Sequence, residues 1–427
     1  MLDSKYFLYQ GDCMKNFNPI RGTYDYLPKE ARLREYVRTT ILNSYQENGY
    51  NLIDTPILES LEFLDSSEGG DNLRLMFKTI KRGEKLDLTK ENLCESDIVE
   101  EGLRYDLTVP LARMYSNNRE KLPTPFRTIQ IGSAFRAERP QKGRNRQFTQ
   151  CDIDVFGDSS INAELELIKT CFDTLERLGF VNLTLRINDR EILNQLVRFA
   201  GFEDSELNTV CVTLDKIDKI SITGVMMELI EKGFATEKIN KLVDIVNDIE
   251  KNGLQASENY GVSAEKISNL NYLIDSLNHL TKNRYTIKYD ISIVRGQGYY
   301  TGTVYEMYTE GFSGAIGGGG RYDKMVEKFS GIACPAVGIC LGFEPICMLL
   351  KDRQNQLDIR KNLILIYDND DDIIEVFRLK DKLKKEYNVA LYLRPKNSKN
   401  FYTKIGEVAD MVTSVKEQKE NKSFKIL

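Results

Sequence analysis

The segment RTIQIGSAFRAERPQKGRNRQFTQCDIDVFG, residues 127–157, contains the pattern that decides the fold. Two runs with strand-like composition, 127–135 and 146–157, flank a loop that contains a proline and a glycine. Runs of this kind, separated by turn residues, are typical of paired antiparallel strands. We therefore expect two antiparallel strands joined by the loop RAERPQKGRNR, residues 136–146.

This loop is strongly basic. Its cationic residues are Arg136, Arg139, Lys142, Arg144 and Arg146, and its one acid is Glu138. Guanidinium groups bind phosphate oxygens in a fixed fork, and each charge-assisted hydrogen bond is stronger than a neutral one. Phe148 follows on the second strand, where a planar base could stack on it. The loop indicates a site for a polyanion, and the alternative interpretation is a solvated hairpin tip.

Helical and strand periodicity continues outward from this pair. We predict helices at 31–48 and 161–180, strands at 51–59 (with Pro56 inside), 182–189 and 285–310, a charged solvated loop at 78–101, and helices through about 190–281. From about residue 360, strand, helix and strand alternate as in a small α/β module.

The composition excludes several classes of protein. The formal net charge of −5 means that nucleic-acid binding would need a local basic patch. Eight cysteines without CxxC spacing favour neither a zinc site nor a disulfide framework. The single histidine, His279, makes a histidine-based triad or metal site improbable. Neither a membrane-spanning run nor a secretory signal is visible, so we expect a cytoplasmic location.

Two further motifs combine glycines with residues suited to a ligand. In SIVRGQGYYTGTVYE (292–306), Arg295 precedes glycines and a tyrosine pair, which could form flat walls with polar tips. The sequence AIGGGGRYDKM (315–325) lacks the spacing of a P-loop or a dinucleotide-binding fold. Its glycines are predicted to form a strand-to-helix turn that lines the floor of a pocket.

Together these motifs resemble those of the histidyl-tRNA synthetases, over about residues 18–344. RGTYDYLP (21–28) and TPILE (55–59) resemble the dimer-forming first motif, FRAERPQKGRNRQF (135–148) the second and PAVGICLGFE (335–344) the third. The motifs at 292–306 and 315–325 resemble those peculiar to the histidine-specific enzymes. YDLTVPLAR (105–113), RINDREIL (186–193) and TLDKIDKIS (213–221) also match the family.

The resemblance implies an α+β fold, with a class II synthetase-like, six-stranded antiparallel sheet flanked by helices. Residues 1–17 would be an N-terminal extension and 18–350 the class II catalytic core, with a helical insertion at about 190–281. Residues 360–427 would form a reduced anticodon-binding-like C-terminal α/β module. The implied activity is ligation of histidine to tRNA, with ATP and Mg²⁺, by a homodimer.

Roles for individual residues also follow from the resemblance. Arg136 and Arg295 would be catalytic, holding the α-phosphate and the reacting carboxylate from opposite sides. ATP would be contacted by Arg136, Glu138, Arg144 and Phe148. The amino group of histidine would be bound by Asp106, Thr108 and Gln150, and its ring by Asp154 and Tyr299 with Tyr300 nearby. No metal ligands are implied, and the candidate tRNA contacts are Lys396, Lys399, Lys404 and Lys416.

Three departures from the family pattern leave a second function open. Pro345 stands where the third motif has an ATP-binding arginine, and Gly298 stands where an aspartate precedes the tyrosine pair. The C-terminal segment is also expected to be shortened. The regulatory subunit of ATP phosphoribosyltransferase, whose partner is a short phosphoribosyltransferase, resembles the same core without a tRNA-binding domain.

Overall fold

The computed structural model describes residues 17–65, 75–141, 143–295, 298–395, 400–420 and 423–427. The extension predicted at 1–17 lies outside these residues, apart from Phe17. Lys142, Lys396 and Lys399 also lie outside the described residues. Within the described ranges, no helix is long and apolar enough to cross a membrane.

Fifteen strands are assigned in the described part of the chain. They are β1 (Asn51–Leu52), β2 (Leu58–Ser60), β3 (Lys78–Ile80), β4 (Val99–Leu103), β5 (Phe126–Phe135), β6 (Gln147–Phe156), β7 (Leu183–Asp189), β8 (Thr286–Tyr289), β9 (Thr303–Thr309), β10 (Gly317–Arg321), β11 (Ala336–Gly342), β12 (Asn362–Tyr367), β13 (Asn388–Leu393), β14 (Met411–Ser414) and β15 (Lys425–Ile426).

Fifteen α-helices accompany these strands in the same ranges. They are α1 (Pro28–Glu47), α2 (Leu61–Asp65), α3 (Glu95–Ile98), α4 (Thr108–Asn118), α5 (Asn162–Arg177), α6 (Arg190–Phe199), α7 (Leu207–Leu214), α8 (Ile217–Glu231), α9 (Thr236–Asn252), α10 (Ala264–Leu280), α11 (Lys324–Ser330), α12 (Phe343–Lys351), α13 (Ile373–Leu383), α14 (Phe401–Ile405) and α15 (Val415–Lys419).

The main sheet has the strand order β1-β5-β6-β11-β10-β9-β7-β8. Its six central strands are antiparallel, whereas β1 pairs with β5 and β8 pairs with β7 in parallel. The predicted α+β fold with an antiparallel sheet is confirmed. The sheet has eight strands and not six, because a short parallel strand is added at each edge.

The strand pair at 127–157 positions both the core and the pocket. Along β6, Cys151, Ile153 and Val155 belong to the main hydrophobic core, together with residues of α1, α5 and α12. Successive side chains of a strand point to opposite faces of the sheet. The alternate residues Gln150, Asp152 and Asp154 therefore share the other face, where they are buried but polar.

Two expectations near the N-terminus were wrong. The strand predicted at 51–59 is interrupted, because a proline cannot donate to a ladder, and Pro56 lies between β1 and β2. The charged segment 78–101 is not one open loop, since β3 and β4 join β2 in a three-stranded sheet. Its charges are partly paired there, for example between Lys78 and Glu95 at 2.8 Å.

The last part of the chain forms a second sheet with the order β13-β12-β14-β15. Strands β13, β12 and β14 are parallel, and β15 is antiparallel to β14. Leu365 and Val376 belong to a small hydrophobic core of this module. Arg32 of α1 forms an ion pair with Asp410 at 2.7 Å, which connects the module to the main sheet.

Candidate active site

Glycines in β10 and β11 form the floor of the polar face. A Cβ added to Gly338 would lie 1.8 Å from Asp154 Oδ1, and one added to Gly318 would lie 2.7 Å from Arg295 Nη1. A Cβ at Gly320 would lie 2.8 Å from Tyr300 Cδ1. Glycine is thus needed where these side chains cross the sheet. The turn predicted for 317–320 was wrong, because the four glycines form most of β10.

The start of α4 supplies Asp106 and Thr108. Asp106 Oδ1 accepts a hydrogen bond from the Val109 backbone N–H at 3.1 Å, which orients the carboxyl group at this helix end. Its Oδ2 is buried and has no hydrogen-bond partner among the described residues. Burial raises the pKa of Asp106 to about 6, although the Val109 N–H, the charge of Arg136 and an interaction with the Tyr299 hydroxyl oppose that rise.

Asp154 lies further along β6 and is positioned by Tyr322. The Tyr322 hydroxyl donates to Asp154 Oδ1 at 2.6 Å, while Asp154 Oδ2 is buried without a partner in the described part of the chain. Burial raises the pKa of Asp154 to about 7. The Tyr299 ring lies 4.9 Å from that of Tyr300 and 6.0 Å from that of Tyr322. Tyr322 was missed as a site residue, although the motif GGGRYD contained it.

The two arginines predicted to be catalytic are held by different partners, a backbone carbonyl for Arg136 and a carboxylate for Arg295. Arg136 follows β5, and its Nε donates to the Tyr105 carbonyl at 3.0 Å. Its guanidinium lies 5.1 Å from the centre of the Phe148 ring. Arg295 Nη1 donates to Glu306 Oε1 at 2.6 Å, and its Nη1 is the atom that approaches Gly318.

The loop between β5 and β6 closes at its tip. Gln141 and Arg144 exchange backbone hydrogen bonds of 3.0 and 2.9 Å across Gly143, whose φ is +77°. Arg146 Nε donates to the Glu138 carbonyl at 3.2 Å. The Arg144 side chain is exposed and that of Glu138 is half-buried. The structure thus places both near the basic loop's surface and not in the buried pocket.

The start of α12 shows how the fold tolerates Pro345. The proline is buried, and its Cγ would lie 3.0 Å from a Cβ on Gly342. The preceding residue, Glu344, accepts two hydrogen bonds from Arg34, at 2.7 and 2.9 Å, and one from the Thr149 N–H at 3.1 Å. Glu344 thus connects α1 to β6 at the start of α12, next to Pro345.

Two further observations concern the position of Gly298 and the possible ligands of a metal ion. Gly298, which stands where the family has an aspartate, is exposed. Among the residues that the structure describes, no group of three or more His, Cys, Asp or Glu side chains is placed to hold a metal ion. The arrangement is a group of buried acceptors on one face of the sheet, with Arg136 on the side of β5 and Arg295 on the side of β10, suited to a ligand with both a cationic and an anionic end.

Comparison with known proteins gives the family. The sequence model described as histidyl-tRNA synthetase matches residues 22–346. A histidine–tRNA ligase of Leifsonia xyli subsp. xyli is 37% identical over 366 residues, covering 82% of this chain and 83% of that protein. The histidyl-tRNA synthetase structure from Nostoc sp. PCC 7120 has a TM-score of 0.73 at 25% identity, covering 96% of this chain and 95% of that one.

A structure from Bacillus halodurans C, described as an ATP phosphoribosyltransferase regulatory subunit/histidyl-tRNA synthetase, also has a TM-score of 0.73, at 18% identity over 93% of this chain and 97% of that one. At this identity it shows the fold alone. Sheet, pocket and relatives together define a class II aminoacyl-tRNA synthetase core. The chain belongs to the histidyl-tRNA synthetase family.

Proposed function

We propose that this protein is a histidine–tRNA ligase, which activates histidine with ATP and transfers the histidyl group to tRNA. The observation that supports it best is the pocket between Arg136 and Arg295. Its buried acceptors on Asp106, Gln150 and Asp154 lack donors among the described residues. The ammonium group and the imidazole N–H of histidine would supply them. Such hydrogen bonds also discriminate, because an analogue without them leaves buried polar groups unpaired.

In the first step a carboxylate oxygen of histidine forms a bond to the α-phosphorus of MgATP, and the bond to the pyrophosphate oxygen breaks. Positioning and charge neutralisation supply most of the catalysis of such a transfer. Arg136 and Arg295 would do this from two sides of the reacting group. Glu138, Arg144 and Phe148 would contact ATP, and the Mg²⁺ would arrive with the triphosphate.

In the second step a hydroxyl of the terminal tRNA ribose attacks the histidyl carbonyl, and AMP leaves. The C-terminal module would contribute to tRNA binding through exposed lysines, of which Lys404 and Lys416 lie in the described residues. Binding should weaken with salt, because phosphate contacts release counterions. A cytoplasmic location is part of the proposal, since all three substrates are present there.

The decisive experiment is histidine-dependent exchange of labelled pyrophosphate into ATP, with magnesium present. The expected result is exchange that requires histidine and is absent with other amino acids. Charging of histidine tRNA should follow with the same preparation. Folded protein that shows no exchange above background would contradict the proposed activity.

Pro345 favours one alternative, in which the protein binds histidine as the regulatory subunit of a short ATP phosphoribosyltransferase. Under that alternative, affinity purification from the source cells would recover the transferase, and the purified protein would charge no tRNA. Recovery of the transferase together with failed charging would favour the regulatory function over the ligase function. The two functions thus differ in an observable partner and in an observable product.

The substitution Pro345→Arg is expected to raise the exchange rate about tenfold, because a charge-assisted contact to the triphosphate contributes about 1.5–3 kcal/mol. Pro345→Ala is the matched control, since it removes the ring without adding a charge. The measurement is the exchange rate at saturating histidine, over a range of ATP concentrations. Equal rates for the arginine and alanine variants would mean that this position does not reach ATP.

We also propose a homodimer formed through the first motif. Large apolar side chains are exposed in that motif, at 59% for Leu27 and 45% for Ile57, and Leu52, which precedes its second segment, is 49% exposed. Exposed apolar residues that form a patch are typical of an interface. Light scattering at micromolar concentration is expected to give the mass of two chains. A monomer mass, with Leu52→Glu behaving identically to the unchanged protein, would contradict it.

A further inference from the structure

Asp152 is a buried carboxyl group in the pocket to which no role has yet been given. It lies on β6 between Gln150 and Asp154, on the same face, and only 3% of its surface is exposed. Its neighbours across the sheet are Gln130 of β5 and Cys340 of β11. A buried aspartate in the middle of a sheet is rare unless it is paired.

The partners of Asp152 satisfy only one of its oxygens. Gln150 Nε2 approaches Oδ2 at 3.5 Å, at the outer limit of a hydrogen bond. Oδ1 is buried and has no partner among the described residues. A buried acceptor without a hydrogen bond costs about 1–3 kcal/mol. An apolar residue at this place would spare the fold that cost, so the carboxyl group is better explained by a ligand than by stability.

Asp152 belongs to a set of acceptors that lack donors within the described ranges. These atoms include Asp106 Oδ2, Gln150 Oε1, Asp152 Oδ1 and Asp154 Oδ2, and Gln130 Oε1 and Thr128 Oγ1 on β5, opposite Asp152 and Asp154, also lack a partner there. An ammonium group carries three N–H donors and no acceptor. An ammonium group can thus donate to as many as three of these acceptors, and an imidazole N–H to one more.

The charge of Arg136 indicates which end of the ligand meets Asp152. Burial raises the pKa of Asp152 well above its ordinary value and the charges of Asp154 and Asp106 add to the rise, whereas a hydrogen bond with the Cys340 thiol and, more weakly, the charge of Arg136 oppose it. Arg136 likewise opposes the rise at Asp106. The geometry agrees, because Arg136 follows the Phe135–Gln147 end of the strand pair, to which Asp152 is nearer than Asp154, and its Nε donates to the carbonyl of Tyr105, next to Asp106. Arg136 is the proposed partner of the substrate carboxylate. In an α-amino acid the ammonium group is attached next to that carboxylate.

We infer that Asp152 is a third carboxylate of the substrate pocket, which accepts a hydrogen bond from the α-ammonium group together with Asp106 and Gln150. This assignment rests on the proposed function. Asp154, held by Tyr322, would then serve the ring alone. The division gives the two ends of the substrate separate carboxylates on one strand, two residues apart.

Calorimetry on the full chain with three ligands distinguishes binding of the ammonium group from binding of the ring. Histidine has the ammonium group, the carboxylate and the ring. Histidinol lacks only the carboxylate, and imidazole-4-propionate lacks only the ammonium group. Asp152→Asn is expected to weaken histidine and histidinol by about 10–100-fold, the loss of one hydrogen bond to a charged group. Its affinity for imidazole-4-propionate should stay within about threefold of the unchanged protein.

The matched control is Asp154→Asn, the same change two residues along the same strand, which should weaken all three ligands. Thermal unfolding checks that each variant is folded, and Asp152→Ser replaces Asp152→Asn if the latter is not. Equal weakening of imidazole-4-propionate and histidine by Asp152→Asn would overturn the inference, as would unchanged histidinol binding. Failure of the unchanged protein to bind histidine would instead overturn the proposed function, and this inference with it.

Discussion

Replacing Arg295 by alanine is expected to slow histidine-dependent pyrophosphate exchange by at least about 100-fold, the scale found when one preorganised charge-stabilising donor is removed. The affinity for histidine should change far less, because Arg295 is proposed to act on the developing charge at phosphorus. The measurement compares the exchange rate at saturating substrates with the Kd for histidine from calorimetry.

A surface arginine of the same type provides the control. Arg284 is exposed and pairs with Glu176, so Arg284→Ala should leave exchange unchanged. If Arg295→Ala weakens histidine binding as much as it slows exchange, the arginine serves binding in the ground state and not the chemical step. A rate equal to that of Arg284→Ala would remove it from the mechanism altogether.

The backbone at Arg295 connects the helical insertion to the site. Its φ of +61° is uncommon for a residue with a side chain and costs about 1–3 kcal/mol. Asp215, between α7 and α8, compensates by accepting hydrogen bonds from the N–H groups of Val294 and Arg295, both at 3.2 Å. The insertion therefore holds the arginine in place, which gives the motif TLDKIDKIS a physical role.

The strand pair at 127–157 could be predicted because its pattern is local. Alternation along β6 already separates Cys151 and Ile153 from the polar residues Gln150 and Asp152. The motifs likewise identified Arg136, Arg295 and Asp154, which the structure brings to one face of the sheet. Their roles in substrate binding stay predictions until the binding and exchange experiments are done.

The glycines of β10 could not be placed from sequence, because their requirement comes from distant residues. Four consecutive glycines have the local signature of a turn, since glycine has low strand propensity. Glycine is needed in this strand because Arg295 lies against Gly318 and Tyr300 against Gly320, which leaves no room for a Cβ. The partners of Arg321 and Tyr322 are also distant in sequence and could not be predicted. Arg321 pairs with the buried Glu164, whereas the adjacent Tyr322 donates to Asp154 in the candidate site.

The substitution Arg321→Met is expected to destabilise the protein by about 3–5 kcal/mol, the usual cost of breaking a buried ion pair by removing one partner. Arg321 Nε and Nη2 donate to Glu164 at 2.7 and 2.6 Å, and Nη1 donates to the Asp158 carbonyl at 3.0 Å. Glu164 is fully buried, at 0% exposure, so its charge would lose its counter-ion without gaining water. Urea unfolding measures the change in free energy.

Two further variants distinguish the loss of a buried ion pair from the loss of a surface charge by their free energies of unfolding. Arg394 pairs with Asp368 at 2.5 Å on the surface, and Arg394→Met should cost less than about 1 kcal/mol. In the Arg321→Met background, Glu164→Gln should restore more than half of the lost stability, because it removes the unpaired charge and keeps an acceptor for Thr303. Equal costs for the two arginine variants would mean that the Arg321 pair is not needed for folding, and its motif would then have to be explained by the substrate.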